Sequence, residues 1–144
     1  MSSVAQILAE KGRTVVTIEG HRTLAEAVEM LNKHRIGALV VVDAGGVVQG
    51  IVSERDVVRA VGQSGSDGLK LPVAERMTRK VVTCTPTAAL HQLMTMMTDG
   101  KFRHVPVVEG GRLGGMVSIG DIVKHRLAEM EAESQALKDY IGAA

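Results

Sequence analysis

The sequence predicts an α/β (α+β) protein of tandem β-α-β-β-α repeats, two sheets packed with pseudo-twofold symmetry, and a long C-terminal helix. Three observations predict it. The chain matches itself at an offset of 66 residues through its middle. Each copy alternates between helical and strand periodicity in the same order. A unit of about sixty residues is marginal alone, so two copies are expected to complete one core.

The repeat is explicit in the residues. Val15-Val16-Thr17 returns as Val81-Val82-Thr83, and the run from Ile36 to Asp43 returns as Phe102 to Glu109. Gly50-Ile51-Val52-Ser53-Glu54-Arg55-Asp56 returns as Gly115-Met116-Val117-Ser118-Ile119-Gly120-Asp121. The domain bounds follow as 4–62 for the first copy, 63–72 for a linker, 73–128 for the second copy and 129–144 for a C-terminal helical extension.

In the first copy, Val15 to Ile18 is short and β-branched, as a strand should be. Thr23 is an N-cap candidate, followed at helical spacing by Leu24, Ala27, Val28 and Leu31. Ala38 to Val42 is continuously apolar, the pattern of a strand covered on both faces. Asp43-Ala44-Gly45-Gly46 is a hairpin turn signal before the returning strand Val47 to Val52, and a helix then carries Val57, Val58 and Val61. The second copy repeats the order: strand Val81 to Cys84, a helix with Leu90, Leu93, Met94 and Met97, and strand Val105 to Val108. The turn Glu109 to Arg112, strand Leu113 to Val117 and a helix from about Ile119 complete it. Gly62 to Gly68, rich in Gly and Ser, is expected to be a flexible linker.

Composition narrows the function. A net charge of +1 argues against nucleic acid held on a broad basic surface. One Phe, one Tyr and no Trp disfavour single-strand binding by stacking platforms and sugar recognition on aromatic faces. The single cysteine, Cys84, makes neither an internal disulfide nor a thiolate metal site, and is expected to be a buried small hydrophobe. No apolar run approaches the ~20 residues that span a bilayer. Met1-Ser2-Ser3 opens no signal-peptide pattern, which makes the cytoplasm the expected location. The histidines have no metal-ligand spacing, and no nucleophile–base pair or acid dyad is visible, so neither metal nor catalysis is expected.

Both copies end their last strand in Gly-φ-Val-Ser-x-x-Asp, with Ile51 or Met116 at φ. Ser followed three residues on by an acid is a helix capping box, which a strand-to-helix junction needs. The same geometry suits a ligand. A helix N-terminus presents free N–H groups to phosphate, and an ionised Asp accepts from vicinal ribose hydroxyls. Arg103-His104, at the start of strand Val105 to Val108, supplies cations that would neutralise phosphate there.

With these motifs the sequence resembles the CBS-domain family, as a stand-alone pair (a Bateman module) over about residues 4 to 128. The resemblance implies two clefts between the copies. In nucleotide-binding members the motif Asp holds the ribose, while the motif Ser and basic residues before the middle strand contact phosphate. By position, one cleft would use Asp121, Ser118, Met116, Arg103 and His104, with an adenine wall near Thr14 and Ile36. The mirror cleft would use Asp56, Ser53 and Ile51, with Lys80 and Phe102. Gly37-Ala38 stands where the second copy has Arg103-His104, so the mirror cleft lacks that grip; Arg55 and Arg35 are substitutes. The expected ligand is an adenine nucleotide (AMP, ADP, ATP or NAD(H)), bound as a regulatory ligand and not as a required cofactor. The alternative is a dimerisation module with empty clefts.

From Asp121 to Ile141 the chain is longer than the repeat requires. Val123, Leu127, Met130, Leu137 and Ile141 recur at spacings of four and three, interrupted by Ser134. This fits a helix folded back on its own domain, or a coiled-coil seam that extends a homodimer built through the CBS helices. An effector protein of unknown identity is the expected further partner.

Overall fold

The computed structural model describes residues 2–143. Helix α1 (Val4–Lys11) leads into β1 (Thr17–Glu19), α2 (Leu24–His34), β2 (Ala38–Val42), β3 (Val48–Ser53) and α3 (Glu54–Ser64). After a short 3-10 helix (Gly65–Lys70), α4 (Val73–Arg76) opens the second half, followed by α5 (Leu90–Gly100), β4 (His104–Glu109), β5 (Arg112–Ser118) and α6 (Ile119–Ala143). The first half forms a three-stranded sheet, β1 parallel to β2 and β2 antiparallel to β3. The second forms the two-stranded antiparallel sheet β4-β5.

Local chemistry accounts for the elements. The Thr23 hydroxyl accepts from Glu26 N–H at 3.2 Å and caps α2. The Asp43 carboxylate accepts the N–H groups of Gly45 and Val47, both at 2.9 Å, and shapes the β2–β3 turn. Strand β2 is buried at all five residues, so both its faces are covered. Leu39 and Val41 enter the first core, with Ile18, Leu24, Leu31, Val52 and Ala60. The second core gathers Cys84, Leu90, Leu93, Met97, Val105, Val107, Val117 and Ile122. Val40, and in the second sheet Pro106, are buried on the opposite faces, as sheet-to-sheet packing requires.

Sequence copies and packed cores do not coincide. Val4, Ile7 and Leu8 of α1, at the start of the first copy, belong to the second core. Val73 of α4, at the start of the second copy, belongs to the first. The motif glycines allow this exchange. A methyl on Gly115 would lie 2.7 Å from Leu8, and one on Gly50 would lie 2.7 Å from both Met77 Sδ and the Thr78 carbonyl.

Several expectations need correction. The linker is ordered: α3 runs to Ser64, and Gly65–Lys70 is a 3-10 helix in which Gly68 is buried hard against the Ala60 carbonyl. The first strand moves to Thr17–Glu19. Its counterpart, Val81 to Cys84, shrinks to one bridge, Cys84 to Val107, because two prolines remove ladder donors. Pro106, where the first copy has Val40, has no N–H to give the residues before Cys84, and Pro86, where the first copy has Gly20, has none to extend the ladder after it. On α3 the buried residues are Asp56 and Ala60, and Val58 is 69% exposed.

Helix α6 does not fold back. Its base is held by Ile122 in the second core, by His125 at 3.8 Å from Glu10, and by the Ser2 hydroxyl donating to Glu129. Beyond that the seam is open, from Val123 at 45% exposed to Ile141 at 64%. No break falls at 128/129, and Ala144 lies outside the described residues. No helix among the described residues is long and apolar enough to cross a membrane.

Candidate functional site

The two Ser-x-x-Asp motifs fold as helix starts at the ends of β3 and β5. Asp121 Oδ2 accepts Ser118 N–H at 2.9 Å, and Asp121 N–H donates to Ser118 Oγ at 3.1 Å. Asp56 Oδ2 accepts Ser53 N–H at 2.8 Å and the Ser53 hydroxyl at 3.1 Å. The capping box predicted from spacing is formed in both copies.

Beyond this shared geometry the sites differ in charge. Lys11, the last residue of α1, places Nζ 2.7 Å from Asp121 Oδ2 and donates to the Met116 carbonyl at 3.0 Å. His104 sits opposite Ser118 in the β4–β5 ladder, and the Arg103 carbonyl accepts Ile119 N–H at 2.9 Å. The entrance to β2 reaches the same place: a methyl on Gly37 would lie 3.9 Å from His104 Cε1 and 3.8 Å from Glu54 Cδ. Burial holds the His104 pKa below its ordinary value, with the Lys11 and Arg103 charges pushing the same way against Asp121 and Glu54. Burial pushes Asp121 up, but the hydrogen bonds from Lys11 and Ser118 outweigh it and leave the carboxyl below the usual range. Asp121, the Lys11 ammonium, the Arg103 charge and the His104 ring therefore meet at the start of α6, with Glu54 close by.

At the mirror site Asp56 is only 9% exposed and, among the described residues, has no cation within ion-pair distance. Ile51 exchanges both backbone hydrogen bonds with Thr78, at 3.0 and 2.8 Å, which brings the strand beside the stretch that carries exposed Lys80. Arg55 is exposed. Phe102 packs against the second core.

Ile36 and Thr14 are the residues expected near the adenine wall of the Asp121 cleft. Ile36 packs on the first core and lines a groove of ≈ 590 Å³ with Val28, Arg35, Glu54, Val57 and Val58. Its neighbour Gly37 is what reaches His104. Thr14 is exposed in the stretch between α1 and β1. Sequence reasoning missed Lys11. The available signal was a basic residue closing an amphipathic helix just before Gly12, at φ 95°, but nothing local ties it to a motif 110 residues away.

Among the described residues no group of three or more His, Cys, Asp or Glu is placed to hold a metal ion. The chain matches the CBS domain model twice, over residues 4–63 and 73–128. It is 50% identical to the CBS-domain containing protein ATU1752 from Agrobacterium tumefaciens, with a TM-score of 0.85 over 87% of this chain and 99% of that one. It is 33% identical to CBS domain-containing protein CBSX3, mitochondrial, of Arabidopsis thaliana, over 97% of this chain and 72% of the relative. The CBS domain pair of protein MJ0100, solved in complex with 5'-methylthioadenosine and S-adenosyl-L-methionine, superposes with a TM-score of 0.80 at 27% identity, covering 90% of this chain and 98% of that one.

Proposed function

The chain belongs to the CBS-domain family, and on that premise we propose that it is a regulatory module that binds an adenine nucleotide in the cleft headed by Asp121 and catalyses nothing. The observation that carries the reading is the gathering of Lys11, His104 and Arg103 around a helix-start carboxylate. A ribose would take the Asp121 oxygen that Lys11 now holds. The released ammonium, with Arg103 and the His104 ring, would then face the phosphate. The adenosine ligands of the MJ0100 pair support the nucleoside half of this reading. The cations favour AMP or an NAD-type ligand over an uncharged nucleoside.

The mirror cleft of Asp56, Ser53, Ile51, Arg55, Arg35, Lys80 and Phe102 is the weaker site in this reading. Its acid is buried with no cation at ion-pair distance among the described residues, and its basic residues are dispersed. We assign the module to the cytoplasm and to a homodimer. Val28, Val58 and Val61 on α2 and α3, and Met94, Val123 and Leu127 on α5 and α6, are exposed apolar side chains that a second copy would cover.

A thermal-shift panel of AMP, ADP, ATP, NAD, NADH and S-adenosylmethionine tests the assignment. A ligand at 100 times its Kd adds about 2.7 kcal/mol of stability. The shift should be lost in Asp121→Ala and largely kept in Asp56→Ala. A panel without any shift would refute it in favour of a dimerisation module with empty clefts, a reading that the existing Lys11–Asp121 pairing also fits.

A further inference from the structure

Residues 130–143 of α6 are exposed at every position, so the last turns of the helix rest on nothing in their own chain. Isolated segments of ~12–15 residues are marginal as helices in water. Apart from Tyr140, the large exposed apolar side chains of the helix fall on one repeating stripe: Val123, Leu127, Met130, Leu137 and Ile141, at 45 to 64% exposure, with Ser134 the small exception. With Leu127 and Ile141 at heptad position a, Val123, Met130 and Leu137 fall at d. Arg126 and Glu133 then take g, while Lys124, Glu131 and Lys138 take e.

We propose that α6 pairs with α6 of a second copy as a parallel, in-register, two-stranded coil. The proposal deepens the homodimer reading above and rests on it. Charge selects both the occupant and the direction. In a parallel pair, g of one helix faces e of the next heptad on the other, so Arg126 meets Glu131 and Glu133 meets Lys138, each twice by symmetry. In an antiparallel pair with the seam fully overlapped, e faces e and g faces g. Lys124 would then oppose Lys138, Glu131 would oppose Glu131, and Glu133 would oppose Glu133. These three contacts are repulsive, and the fourth, Arg126 against Tyr140, brings no opposite charge to offset them. Arg126 is free to take its new partner: it lies 3.5 Å from Glu129 on its own helix, with its side chain 55% exposed.

The test uses the full chain. Cys84 is its only cysteine and is buried, with its thiol pushed up to about 11 by burial, so an added cysteine reports alone. Leu137→Cys should form an intermolecular disulfide with itself under mild oxidation. Glu131→Lys should weaken the dimer, read by sedimentation equilibrium, on the order of tenfold, and Arg126→Glu/Glu131→Lys should restore it. In the antiparallel pair Glu131→Lys would only replace one like-charge contact by another. A dimer in which Leu137→Cys does not cross-link, or in which Leu127→Cys and Leu137→Cys chains cross-link only to each other, overturns the parallel coil and leaves the homodimer standing. A monomer at every concentration removes both.

Discussion

Replacing Lys11 by Met removes the ammonium that Asp121 holds at 2.7 Å while keeping an unbranched stem of similar length. The two side chains are 39% and 24% exposed, so solvent screens much of their attraction, and pairs of this kind contribute about 0.2–1 kcal/mol. The second bond, to the Met116 carbonyl at 3.0 Å, places the expected loss near the top of that range, at about 1 kcal/mol. For a chain of this size that lowers Tm by roughly 2–4 °C. The pH dependence follows from Asp121. Its folded pKa is depressed, so its contribution is present above the ordinary carboxyl range and is lost as pH falls through the folded value. The gap between wild type and Lys11→Met should therefore be full at neutral pH and narrow in acid to what the Met116 carbonyl bond contributes. Urea midpoints for wild type, Lys11→Met, Asp121→Asn and the double variant give the coupling directly. A coupling of zero at neutral pH, or a gap that persists unchanged once Asp121 is protonated, refutes the reasoning.

Three further outcomes are expected. Gly50→Ala sets a methyl 2.7 Å from the Thr78 carbonyl, whose backbone is fixed by both hydrogen bonds to Ile51; the urea midpoint should drop by the equivalent of about 1–3 kcal/mol at unchanged slope. Leu93→Ala empties a fully packed position in the second core and should cost about 2–5 kcal/mol, and calorimetry should show one transition, because each core contains a helix from the other half. His104 should titrate by NMR below the ordinary histidine range. Because its folded pKa is lowered, the unfolded chain takes up the proton first, and stability falls as pH drops from about 6.5 towards the folded value. His104→Gln should flatten that part of the profile.

The elements were legible wherever a local rule decided them. Thr23 caps α2, the Asp43 turn closes the hairpin, and β2 reads as a doubly covered strand; each depends on residues within a few positions. The motif carboxylates were legible for the same reason, since a capping box spans three residues. What was not legible depends on partners far away in sequence. Val4 and Leu8 read as part of the copy they open, yet their apolar face is buried against Cys84, Leu90 and Val117. Lys11 was invisible as a site residue because its position follows from that exchange. The strand at Val81 failed because two prolines remove its ladder N–H groups, Pro86 just after it and Pro106 in the neighbouring strand, and the effect of Pro106 depends on which strands pair. The hydrophobic spacing of α6 was read correctly, but spacing alone does not reveal whether a stripe faces its own chain or another.

The reciprocal placement of α1 and α4 sets an order of events at the ribosome. The first core is complete once Val73 has emerged, because every one of its residues lies between Ile18 and Val73. The second must wait for Val117 and Ile122, although three of its residues were among the first synthesised. Throughout that interval Val4, Ile7 and Leu8 have no surface to cover them. The chain must then close a loop of more than a hundred residues to seat them, a contact of long sequence separation that slows folding. The N-terminal helix, first to be made, thus cannot be fully seated until the chain has been synthesised through Ile122.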